Sequence, residues 1–125
     1  MHLLAASVAF IMINLTIAPP SYAAAPPLEP GVSLQLAQWR AQQYRDIRYA
    51  LRIQLLAGAD LLRGSLEITV TAPRKPVDLV LDWRGAPVRE LRVNGVPASA
   101  QSSSEHLVIG RKDLKAGRNT VQLTF

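Results

Sequence analysis

Cysteine is absent from the 125 residues, which excludes a disulfide framework, a thiolate zinc site and a lipid-modified cysteine. Histidine is nearly absent: His2 lies in an apolar N-terminal run, His106 stands far from it, and no H-E-x-x-H pair occurs. A hydrolytic zinc takes three protein ligands and keeps one open position, so the ligand set of a zinc hydrolase is missing. There is no glycine-rich phosphate loop. Aromatic residues make up 6% of the chain and do not interleave with basic positions as a nucleic-acid stacking platform would. A Ser104, His106 and Asp113 triad can be drawn on paper, but neighbouring strand residues point to opposite faces and the serines read as an ordinary loop. His106 itself reads as a surface residue at the start of a strand. No catalytic, cofactor-binding or metal-ligating residue is assigned.

Charge is present but dispersed. The 14 basic and 9 acidic residues all follow residue 25, giving a net charge of +5. Arg40, Arg45, Arg48, Arg52, Arg63, Arg74, Arg84, Arg89, Arg92 and Arg111 are scattered with acids between them. Such a pattern reads as a solvated basic surface rather than a nucleic-acid footprint. Ahead of the first charge, an apolar run from Leu3 to Ile17 is broken by Pro19 and Pro20 and followed by Ser21-Tyr22-Ala23-Ala24-Ala25. No Lys or Arg precedes the run, yet small residues before a cleavage point after Ala23 or Ala25 mark residues 1–25 as an export signal. The expected location is periplasmic or secreted, with no membrane association after cleavage. The alternative is an N-terminal membrane anchor, although a span wants about 20 apolar residues and Asn14 and Thr16 interrupt this one.

The remaining 100 or so residues suit one domain. Residues 26–32 form a Pro-rich extended lead, and residues 33–125 the domain proper. Ser33 can cap a short helix or turn through Gln43, a stretch free of Gly and Pro. From Asp46 the period becomes two: Ile47, Tyr49, Leu51, Ile53 and Leu55 share one face, expected to be the core face, against Arg48, Ala50, Arg52 and Gln54. Gly58-Ala59-Asp60 turns this strand into a second one, with Leu66, Ile68 and Val70 inward. After Pro73 and Pro76 come strands at residues 77–82 and 88–93, then Asn94-Gly95 as a tight hairpin returning through residues 96–100. Residues 102–105 read as a polar loop, His106 to Ile109 as a short strand, Gly117 as a left-handed turn residue, and Asn119 to Phe125 as a last strand with Val121, Leu123 and Phe125 inward. Short strands with a turn every 8 to 12 residues indicate an all-β, antiparallel β-sandwich.

Several of these segments resemble the N-terminal β-domain of the aminopeptidase N-like zinc metallopeptidases. Leu36-Ala37-Gln38-Trp39-Arg40-Ala41 followed by Tyr44-Arg45-Asp46-Ile47-Arg48-Tyr49-Ala50-Leu51 resembles the entry to that domain. Gly64 through Val70 resembles its second strand, Leu79-Val80-Leu81-Asp82 its "L-x-L-D" strand, and Val93-Asn94-Gly95 its "V-N-G" hairpin. Leu114, Gly117, Asn119, Val121 and Phe125 follow in the family's order. Each motif is short, and their order carries the resemblance across residues 33–125.

The resemblance implies a saddle-like, non-catalytic β-sandwich that helps to wall a peptide-binding cleft. Zinc and the catalytic residues would belong to a catalytic domain not contained in these residues, in cis or on a separate chain. It also implies a domain that continues past Phe125. A final apolar strand without a polar tail is expected at a sheet edge, where natural sheets pair, cover or charge it, so self-association through that edge is expected. The competing reading is a free-standing carbohydrate-binding-like sandwich, for which Trp83 would be the exposed aromatic platform.

Overall fold

The serine at position 33 opens the first element as expected. In the computed structural model, which describes residues 24–85 and 87–125, helix α1 spans Leu34–Gln43 and the Ser33 hydroxyl accepts a hydrogen bond from the Leu36 amide at 3.1 Å. The export signal expected over residues 1–25 lies, apart from Ala24 and Ala25, outside the described residues. A ten-residue helix is marginal alone; α1 holds because Leu36, Trp39 and Gln43, along one stripe, are buried. It stops where Tyr44 turns extended, with the Tyr44 amide donating to the Arg40 carbonyl at 2.9 Å. The Pro-rich lead is tied down rather than free: Pro26 is buried, and Leu28 packs on the core.

Among the described residues eight strands follow: β1 Arg45–Gln54, β2 Arg63–Ala72, β3 Leu79–Asp82, β4 Glu90–Val93, β5 Val96–Pro97, β6 Ala100–Ser103, β7 His106–Ile109 and β8 Gly117–Thr124. They form two antiparallel sheets, one ordered β1-β2-β8-β4-β5 and the other β3-β7-β6. The Asn94-Gly95 turn has φ of 53° and 82°, the paired positive values that a two-residue hairpin turn demands. The polar loop expected at residues 102–105 is shorter than its composition suggests. Ser102 and Ser103 belong to β6, and the reversal is made by Ser104 and Glu105 alone, at φ 46° and 65°. Glu105 is held there by accepting from the Gly31 amide at 3.1 Å and from Arg84 Nε at 2.8 Å.

The register defines the faces. Ile68 and Leu66 of β2 lie opposite Val121 and Leu123 of β8, which lie opposite Val93 and Leu91 of β4. All but the half-buried Leu66 are buried. In the smaller sheet Leu79 and Leu81 of β3 oppose Ile109 and Leu107 of β7. These side chains and those of α1 join one apolar cluster. Arg40 of α1 reaches Asp82, which shares its face of β3 with Val80. The helix therefore covers the Val80 face, and Leu79 and Leu81 turn the other way.

Two expectations are corrected. The strand containing Asn119 to Phe125 is not at an edge: β8 is the middle strand of its sheet, paired with β2 on one side and β4 on the other. Its end is latched as well, since Phe125 and Gly64 exchange both backbone hydrogen bonds at 3.0 Å. Val121 and Leu123 are buried because both neighbouring strands are supplied by earlier parts of the chain. The edge strands of that sheet are instead the two-residue β5 and the ten-residue β1. Here the second correction applies, because Ile47, Tyr49, Leu51 and Ile53 alternate as expected and share the face of Ile68, yet none of them is buried. As an edge strand, β1 has a neighbour in its sheet on one side alone.

Candidate interaction surface

Regular pairing of β1 begins only at Arg48, because a bulge between Arg45 and Arg48 places Asp46 at φ 53°. From there Tyr49, Leu51 and Ile53 project from the inner face, opposite Ile68, Leu66 and Gly64. Tyr49 is 63% exposed and Leu51 56%, whereas Ile68 next door is 1% exposed. At the Ile47 end a narrow cleft is lined by Ile47, Tyr49, Tyr44 and Leu79, Val80 and Leu81 of β3. The connection to β2 adds Leu55, Leu56, Leu61 and Leu62, all exposed, around a turn at Gly58 with φ 75°. Monomeric proteins rarely expose contiguous apolar patches beyond a few hundred Å². Eight apolar side chains, each 45–79% exposed along β1 and its connection, go beyond scattered surface hydrophobes.

The patch is concave. Tyr49, Leu51, Leu61, Leu62, Leu66, Trp83 and Phe125 line a groove of about 630 Å³, with Asp60 and Arg84 as its charged members. Its floor is fixed by a close approach at Gly64, where a Cβ would lie 2.5 Å from both the Arg52 carbonyl oxygen and Phe125 Cζ. The Phe125 ring in turn meets Trp83 edge to face, centroids 5.5 Å apart at 74°. Trp83 is half-buried in this contact rather than presented as a flat, open platform.

The backbone of β1 is open too. Gly64 directs both its N–H and its C=O at Phe125 of β8, so the even-numbered residues of β2 face β8 and the odd-numbered ones face β1. Their partners Arg48, Ala50, Arg52 and Gln54 are then the residues of β1 bonded to β2. Tyr49, Leu51 and Ile53 direct their N–H and C=O groups away from the sheet, and among the described residues no strand pairs with that edge.

A polar cluster lies elsewhere. Asp82 accepts from Arg40 through both carboxylate oxygens, at 2.7 and 3.0 Å, and stands 3.2 Å from His106 Nε2. The hydrogen bonds from Arg40 hold its carboxyl below the ordinary carboxylate range despite partial burial, and the charges of Arg40, His106 and Arg84 act in the same direction. His106, expected at the surface, is 1% exposed; it lies opposite Asp82 in the β3–β7 ladder. Its close polar contact is with Asp82 of the neighbouring strand, not with the residues of the paper triad, and Ser104 is occupied in making the β6–β7 turn. Tyr44 anchors the helix end, its hydroxyl lying 2.8 and 2.6 Å from the carbonyls of Val77 and Asp78. Burial, together with the charge of Asp78, pushes this phenol well above the ordinary tyrosine range.

Neither arrangement is legible from local sequence. Arg40 and Asp82 stand 42 residues apart, and no periodicity links them. The connecting leucines did leave a signal: Leu55-Leu56-Ala57-Gly58-Ala59-Asp60-Leu61-Leu62 puts four leucines in a loop, where polar residues are the rule. Among the described residues, no three His, Cys, Asp or Glu side chains converge as a metal site requires, and no helix is long and apolar enough to cross a membrane. No protein-family model matches this chain and no curated protein matches it, so the surface of β1 is the feature on which a functional reading rests.

Proposed function

We propose that this chain is a non-catalytic structural and interaction domain, a β-sandwich that docks another folded domain on the inner face of β1. The observation that carries this is the exposed row of Tyr49, Leu51 and Ile53 beside Leu61 and Leu62. Burying apolar area at roughly 25 cal/mol per Å² favours covering such a row, and the concave groove supplies the shape. The order of short motifs from Leu36 to Phe125 supports a particular partner: the catalytic domain of an aminopeptidase N-like zinc metallopeptidase, in cis or as a separate exported chain. In that setting the domain would help to wall the peptide-binding cleft, and zinc chemistry would belong wholly to the partner.

Two measurements test this. The DNA beyond the codon for Phe125, or a neighbouring gene, should encode H-E-x-x-H with a second Glu about 20 residues on, the ligand set of such a zinc site. With that polypeptide present, Leu51→Asp and Leu61→Asp should weaken its association with this chain at least tenfold. Chelator-sensitive hydrolysis of amino-acid anilides by this chain alone, absent from a mock preparation, would overturn the non-catalytic reading. Unchanged association in both variants would overturn the docking surface.

A further inference from the structure

We infer that two copies of this chain pair through the open edges of their β1 strands, antiparallel and centred on Leu51, to make one continuous ten-stranded sheet. The pairing uses the backbone in the plane of the sheet, so it is independent of what covers the face.

The inference starts from the length of usable edge. The bulge at Arg45–Arg48 ends regular pairing on one side and Gln54 ends the strand on the other, leaving residues 48–54 with Leu51 in the middle. Within this stretch the outward backbone groups belong to Tyr49, Leu51 and Ile53, as the β2 and β8 registers require. Rotating a second copy about a two-fold axis through Leu51 sets Leu51 against Leu51 and Tyr49 against Ile53. Each such pair can exchange two hydrogen bonds. The apolar rows of both copies then run together across the seam.

The wet face decides between this register and its neighbours. Arg48 and Arg52 sit at the non-hydrogen-bonded positions of the open edge, where opposed side chains come closest. Centred on Leu51, Arg48 meets Gln54 and Arg52 meets Ala50. Moving the axis to Ala50 sets Arg48 against Arg52 twice, and like charges directly opposite are destabilising. Moving it to Tyr49 draws the bulged Asp46 into the ladder. Bulges and charged side chains are the devices by which edges avoid indiscriminate pairing; here they leave one self-complementary alignment over the full regular edge. A foreign strand would have to supply an apolar row and avoid basic residues opposite both arginines, whereas a second copy already meets those conditions.

The chain has no cysteine, so single cysteines report the register directly. In the full chain, Leu51→Cys should form a disulfide-linked dimer under mild oxidation at least tenfold faster than Tyr49→Cys or Ile53→Cys. Opposed residues across the axis come within the roughly 4.4–6.8 Å Cα separation that a disulfide spans. By sedimentation equilibrium, Ala50→Glu, which faces Arg52 of the second copy, should tighten the dimer roughly three- to tenfold, and Ala50→Arg should weaken it by a similar factor. A wild-type chain that stays monomeric at 100 μM, as an order-of-magnitude ceiling for weak specific pairing, would overturn the proposal. So would equal cross-linking at the three positions, or the same response to both Ala50 variants.

Discussion

Asn119 has no exposed surface, and all its side-chain atoms that can bond do so. Its Oδ1 accepts from Asn94 Nδ2 and from the Lys115 amide, each at 2.9 Å, while Nδ2 donates to the carbonyls of Lys115 and Gly117 at 2.8 and 2.9 Å. One side chain thus joins the turn before β8 to the Asn94-Gly95 hairpin. Asn119→Ala should cost about 2–4 kcal/mol in chemical denaturation, since several buried partners lose their mate at about 1 kcal/mol apiece. A cost under about 1 kcal/mol would show that water replaces the amide. Asp82 makes a different kind of prediction. Its carboxyl is held below the ordinary range in the folded chain, so the stability it contributes is present above the unfolded carboxylate pKa of about 3.9 and is lost as pH falls through the folded value. Asp82→Asn should therefore destabilise the protein at neutral pH, with the difference from wild type closing below about pH 4. The side chain is half exposed, and solvent screening keeps the effect small. Neither role was legible in the sequence, because both depend on partners brought together only by the fold.

At the scale of elements, β1 shows what periodicity can and cannot tell. Its alternation was readable, and the register agrees with it residue by residue. Its burial was not, because that depends on whether a strand of the other sheet lies opposite, a fact held nowhere in residues 45–54. The same limit explains β8, whose alternation is legible in the sequence and whose position is not. A strand's place in the sheet is decided by β2 and β4, which it pairs with across the chain. The helix and the Asn94-Gly95 hairpin were legible because a cap and a left-handed dipeptide are local chemistry. The burial contrast gives a direct measurement. Ile68→Ala should cost about 2–5 kcal/mol, and Leu51→Ala on the same face should cost under about 1 kcal/mol in the monomer, as half-exposed sites do. Equal losses at both positions would mean that β1 is covered in solution even without a partner. Gly64→Ala should be as costly as a core change, since its Cβ would collide with both the Arg52 carbonyl and the Phe125 ring.

For the molecule as a whole, the consequence of placing β8 between β2 and β4 is one of timing. Residues 65–72 pair with residues 117–124, so the centre of the larger sheet closes a loop that spans nearly half of the domain. Non-local pairing of this kind slows folding into the millisecond-to-second range. During synthesis, β1 and β2 emerge soon after α1, and until residue 117 follows β2 has only β1 to pair with in its sheet. A two-stranded hairpin is at best marginally stable in water. A nascent chain stalled before Gly117 should therefore be cut rapidly by protease within residues 45–72, and one released after Phe125 should resist. The larger sheet closes only when β8 arrives, and the outer flank of β2 stays open to chaperones for as long as that takes.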